Sequence, residues 1–208
     1  MKQAQFISLV SEILGIESKT IKVIVRNLRE AGLFTTGARG VNAPDITALD
    51  AARVVIAVVA SSSPGKAVKD VRFFGPMKPD VWEDWMNFTA NLGLSPEKTL
   101  EETLVDCLEN RMAHAHYFRA FLRLSEMGDA LIIGESNAQY YHNREQSVAM
   151  NETISKINTE EGKAEFRSLW CETEATERIF TTKVNRWAEL SLDLVRDIGY
   201  DLIGWEVD

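Results

Sequence analysis

The 208-residue chain is expected to be a mostly helical α+β protein, with a basic N-terminal head, residues 1–75, and an acidic α+β body, residues 76–208. Three observations predict this. Apolar residues recur at three- and four-residue spacing near the N-terminus, first as Phe6, Leu9, Val10, Ile13 and Leu14, then as Ile21, Ile24, Val25 and Leu28. From His114 to Leu124 the pattern changes to period two, and Ala130 to Ile133 follows Met127-Gly128-Asp129, which predicts a β-hairpin. The charge is also divided: residues 1–75 hold ten Lys or Arg against six Asp or Glu, a balance of +4, so the net charge of -8 leaves -12 on residues 76–208.

The first apolar set predicts a helix over residues 3–14, stopped at Gly15. Ser18 is the expected cap of a second helix that runs to Gly32. Only Gly15, Ile16 and Glu17 separate the two, which is the spacing of a helix-turn-helix unit. In the second helix Lys19, Lys22, Arg26 and Arg29 step by three, four and three and share one face, while Ile21, Ile24, Val25 and Leu28 share the opposite one. Such a helix packs one side on a core and offers the other to a polyanion.

Val10, Ser11, Leu14, Gly15, Ile16, Ile21 and Ile24 match the apolar, small and glycine positions of helix-turn-helix regulators, with Ser11 where alanine is commoner. The chain there resembles winged helix-turn-helix DNA-binding proteins: Leu28 to Phe34 looks like the exit from a recognition helix, and residues 35–44 (TTGARGVNAP) like the wing. Residues 3–75 as a whole resemble the small heads of phage-type regulators, of small terminase subunits and of MerR-type regulators. That likeness implies a fold more than a target. In this geometry Ser18, Lys19, Thr20 and Lys22 would face base edges, and Arg26 and Arg29 would meet phosphate. Arg39, between Gly37 and Gly40, is either a minor-groove or backbone contact or a solvated turn residue.

Thr47 and Asp50 have the spacing of a capped helix start, and the run from Leu49 to Ala60 is so apolar that it must be buried, in the head or in a dimer interface. Ser63-Pro64 opens a short helix ending near Gly75, whose Lys66, Lys69 and Arg72 read as a solvated face. Two prolines in residues 75–79 mark the boundary of head and body. Beyond it, Val81 to Leu92 describes an aromatic helix and Ser95-Pro96 opens another that reaches Arg111. Residues 136–162 are polar and weakly patterned, residues 166–171 suggest a strand, and residues 179–198 a long terminal helix.

Enzyme signatures are missing: there is no phosphate-binding loop, no nucleophile elbow and no zinc-protease helix. His114, His116 and His142 lack supporting ligands and read as structural, so no metal or other cofactor is expected. Cys107 reads as a core thiol, the acidic pairs such as Glu101-Glu102 as solvated surface, and the five tryptophans as core or subunit interface. No stretch is apolar enough to span a membrane and the start lacks a signal-like shape, so a cytoplasmic protein is expected.

The expected function is sequence-specific binding of double-stranded DNA, as a phage-type transcriptional regulator acting as a dimer. The body would mediate self-association or hold a partner protein. Two rivals share the residues: a packaging protein whose head recognises viral DNA, and an interaction module such as an antirepressor whose head binds no DNA.

Overall fold

The structure is a computed structural model that describes residues 1–37, 43–79, 95, 97–109, 120–125, 128, 130–134, 138–142, 159–161, 164 and 187–203. It is an α+β fold in which helices dominate. Helix α1 (Gln3–Leu14) buries Phe6, Ile7 and Val10 and ends at Gly15, whose φ of 64° is open to glycine without steric cost. The turn after it is closed by Ile16 N–H to Ser11 O at 3.2 Å, and the Ser11 hydroxyl donates to Ile16 O. Ser11 is therefore a turn staple, a role alanine could not fill.

Helix α2 (Ser18–Glu30) buries Ile21, Ile24, Val25 and Leu28. Its N-cap is Glu17, whose carbonyl accepts Thr20 N–H at 2.9 Å. This corrects the expected cap: Ser18 is the first helical residue, and Glu17 makes no side-chain cap bond. Gly32, at φ 74°, turns the chain out, with Leu33 N–H returning to Leu28 O at 2.8 Å.

Helix α3 (Ala48–Ala60) begins with the expected capping box between Thr47 and Asp50. It is buried on nearly every side, from Ala51 and Ala52 through Val54, Val55, Ile56 and Ala57 to Val59, because it is the central helix of the fold. A 3-10 turn (Pro64–Lys66) leads into α4 (Ala67–Phe74), and the two-residue strand β1 (Lys78–Pro79) follows. Helix α5 (Leu100–Leu108) is shorter than the residues around Ser95 to Arg111 suggested. Ser95 Oγ accepts Glu97 N–H at 3.4 Å in a local turn, and the capping box belongs to Thr99 and Glu102.

Strands β2 (Phe121–Ser125) and β3 (Ala130–Ile133) form the expected hairpin, in register Leu122↔Ile132 and Leu124↔Ala130, with Gly128 at φ 98° in the turn. Strand β4 (Ala138–His142) lies in the stretch that had no legible pattern. Strand β5 (Trp187–Ser191) interrupts the expected terminal helix, whose last part, from Leu192, is helical as expected and continues as α6 (Leu192–Ile203). Trp187 and Leu190 have helical spacing, but their backbone pairs with β2 in register Leu124↔Ala188 and Leu122↔Leu190. An edge that supplies a row of free N–H and C=O groups outweighs a weak local preference. The all-antiparallel sheet has the order β1-β4-β3-β2-β5. The expected helix over 81–92, the strand over 166–171, the strand start at 114–119 and residues 179–186 lie outside the described residues.

One apolar cluster runs from Phe6, Ile24 and Leu28 through Val54 and Ile56 to Leu104, Leu122, Ile132 and Ile198, so the described residues on both sides of position 75 share a core. The long apolar run is thus buried within the chain, and only Leu49 at its start is 36% exposed. Arg53 on α3 pairs with Glu101 on α5 at 3.0 Å, and Leu100 N–H reaches Met77 O at 2.8 Å. Among the described residues no helix is long and apolar enough to cross a membrane.

Candidate nucleic-acid interface

The candidate site is built on α2. Because Ile21, Ile24, Val25 and Leu28 are sunk in the core, rotation of the helix about its axis is fixed, and the opposite face is held outward. Lys19, Lys22 and Arg26 are exposed on that face. Neither lysine forms an ion pair with a described residue, and Arg26 lies 3.9 Å from Glu30, both of them more than half exposed. A pair so solvated is worth little and releases Arg26 at small cost. Ser18 and Thr20 are half-buried beside this ridge.

Arg29 belongs to the same sequence stripe but has a different situation. Its guanidinium donates to Gln3 Oε1 on α1 and lies 5.9 Å from the centre of the Phe34 ring, with the side chain half-buried. Phe34 in turn packs against Phe6, with the tilted rings 6.5 Å apart between centres. Arg29 thus ties α1, α2 and the chain leaving α2 together, and only a fraction of its surface faces the ridge.

The other flank of α2 is occupied by the turn before α4. Asn27 Nδ2 donates to Pro64 O at 2.8 Å, and Arg72 Nη2 donates to Ala31 O at 3.4 Å. Asn27 is a flank-fixing position that the charge pattern passed over. Its signal was an asparagine in a helix interior, where its side chain competes with the backbone unless it has a partner elsewhere.

Thr35 to Pro44 was expected to form a wing. The described limbs, 35–37 and 43–47, pair in no β-ladder, and Arg39 lies outside the described residues. Asp50 ties the two described limbs together through Thr35 and Thr47, and the return limb is fastened further. Ile46 N–H reaches Met1 O at 3.0 Å, the N-terminal ammonium lies 3.2 Å from Asp45, and Lys2 Nζ meets both Asp45 and Ala43 O. Hydrogen bonds from the N-terminal ammonium and then Lys2 hold the Asp45 carboxyl below its usual range.

Elsewhere, Cys107 is buried, with its thiol 3.7 Å from Leu192 O. Among the described residues no group of three or more His, Cys, Asp or Glu is placed to hold a metal ion. His114 and His116 lie outside the described residues, and the backbone of His142 pairs with Lys78 at the sheet edge. No protein-family model, no curated protein and no solved structure matches the chain.

Proposed function

We propose that the protein binds double-stranded DNA sequence-specifically through α2, as a dimeric regulator of the phage type, with α1 and α2 acting as the helix-turn-helix of a winged head. The single observation that carries this reading is the exposure of Lys19, Lys22 and Arg26 along one side of a helix whose other side is core. Cations mounted on a rigid helix reach phosphates and base edges with little loss of freedom. An α-helix is about 10–12 Å across with its side chains, and the major groove is about 12 Å wide. Ser18, Lys19, Thr20 and Lys22 occupy the end of α2 that reads base edges in this docking, and Arg26 meets phosphate. Arg39, between the two described limbs in sequence, is the wing contact in this reading.

A short helix reads few base pairs, so two copies on half-sites roughly one turn of DNA apart, about 34–36 Å, give useful selectivity. The charge of the acidic body, -12 over residues 76–208, confines DNA to the head by repulsion.

The test is selection from a random-sequence duplex library with the full chain, across a salt series. A palindrome should be enriched, and its affinity should fall steeply with salt. Lys22→Ala combined with Arg26→Ala should remove binding while the melting temperature stays within about a degree or two of the parent, since both side chains are on the surface. Affinity unchanged in that variant, or no duplex bound even at low salt, would overturn the reading.

A further inference from the structure

The turn between α3 and α4 lies against α2 in a way that the charge pattern did not reveal. Asn27 holds Pro64 O at the last turn of α2, and Arg72 holds Ala31 O just past its end. Residues 64–74 therefore run alongside the C-terminal half of α2. The opposite flank is held by α1, through Arg29 and Gln3. Asn27 and Arg29 are two residues apart, which on an α-helix separates them by about 160° around the axis. The ridge of Lys19, Lys22 and Arg26 lies between these two flanks.

The α4 flank is cationic at its surface. Ser63, Gly65, Lys66 and Arg72 are exposed, while the acidic residue of this segment, Asp70, is 3% exposed. Lys69 is half-buried and has partners of its own. Arg72 is anchored by one hydrogen bond at 3.4 Å and retains other guanidinium donors.

We propose that the Ser63–Lys66 turn and Arg72 form a phosphate-backbone contact beside α2, so that the helix and its α4 flank grip one duplex together. This rests on the reading of α2 as a DNA-contacting helix. A helix that fills the major groove has a phosphodiester wall on each side, and the part of the protein docked next to it meets that wall. Lys66 and Arg72 are on the docked segment, and their charges are long enough and exposed enough to reach it. Contacts of this kind set affinity and register without reading sequence. Asn27 is then a positioning residue, holding the turn at a fixed distance from the ridge.

The experiment measures binding of the full chain to a short mixed-sequence duplex at several salt concentrations. Lys66→Gln should lower the slope of log affinity against log salt by about one, and Lys66→Gln with Arg72→Gln by about two. The loss should be uniform across sequences, on the order of tenfold for the pair. Lys66 makes no side-chain bond to a described residue, so the single variant keeps the test valid if loss of the Arg72 bond disturbs the fold. A parental slope and affinity in Lys66→Gln would overturn the proposal. If at the same time Lys22→Ala with Arg26→Ala abolishes binding, the role of α2 stands and only the flank is lost. If the parent binds no duplex at low salt, both are overturned.

Discussion

Asp50 reaches back across the loop that leaves α2 and accepts the backbone N–H of Thr35 at 2.7 Å on one carboxylate oxygen. Its other oxygen accepts the N–H of Thr47 at 2.9 Å and the Thr47 hydroxyl at 2.8 Å. One side chain, 3% exposed, thus starts helix α3 and closes the neck of the loop that carries Arg39. The spacing of Thr35 and Thr47 therefore depends on the helix cap.

Asp50→Ala should destabilise the protein by about 2–3 kcal/mol, because it removes a cap and leaves two partly buried N–H groups without an acceptor. Urea unfolding monitored by tryptophan fluorescence measures this. A loss below about half a kcal/mol would show that water replaces the carboxylate freely.

Gly199 on α6 crosses α5 with no room for a side chain. A Cβ at Gly199 would be 2.0 Å from Leu108 O and 2.7 Å from Leu108 C. Helix propensity alone favours Gly199→Ala by about 1 kcal/mol. The obstacle is backbone at a helix end, which cannot move aside like the tip of a long side chain, so overpacking of at least about 1–3 kcal/mol opposes it. We expect net destabilisation in thermal unfolding, whereas a raised melting temperature would mean that the helices slide apart without penalty.

Asp45 links the return limb of the loop to the N-terminus and Lys2, and its carboxyl is held below the usual value of 3.8. A carboxylate with a lowered folded pKa stabilises the fold above its unfolded pKa, and the contribution is lost as pH falls through the folded value. The melting-temperature gap between the parent and Asp45→Asn should therefore be present at neutral pH, begin to close as pH falls below about 4, and vanish in stronger acid. A gap that is independent of pH would exclude the ion pair as its source.

Tyr141 is completely enclosed, and its hydroxyl donates to Thr103 Oγ1 at 3.2 Å, which in turn donates to Thr99 O at 2.9 Å. Burial first, with Asp106 adding to it, pushes the phenol well above its ordinary value of 10.0, although the bond to Thr103 opposes this. A raised folded pKa means stability that is intact below pH 10 and declines as pH rises beyond it, since only the unfolded chain ionises readily. Tyr141→Phe should cost about 1 kcal/mol at neutral pH and make the alkaline decline shallower. An equal decline in both proteins would assign it to other groups.

The local elements were legible where one short stretch contains all of the signal. Phe6, Val10 and Gly15 delimit α1, Thr47 and Asp50 start α3, and the alternation around Leu122 and Leu124 with Gly128 specifies the hairpin. Trp187 and Leu190 misled because three-residue spacing fits a helix as well as chance, and β5 exists only because β2 offers it an edge. Thr99 displaced Ser95-Pro96 as the start of α5 because its hydroxyl and Glu102 satisfy each other's backbone donors. The candidate site was half legible: the stripe of cations was visible, but not that Arg29 is engaged by Gln3 and Phe34, nor that Asn27 brings Lys66 to the flank of α2.

By itself, then, the order of residues determined which segments of the head are helices, where α1 and α3 begin and end, and that three of the cations of α2 face away from its apolar side. Periodicity and capping act within a turn or two of chain, so they need no knowledge of the rest. Only the tertiary structure decided that α3 is the shared centre of head and body, that the end of the chain pairs as a strand before it becomes a helix, and which charges on and beside α2 are available. Those outcomes depend on atoms from segments tens of residues apart, Arg29 with Gln3 or Asn27 with Pro64, whose meeting is set by how the apolar faces pack and leaves no mark in either segment alone.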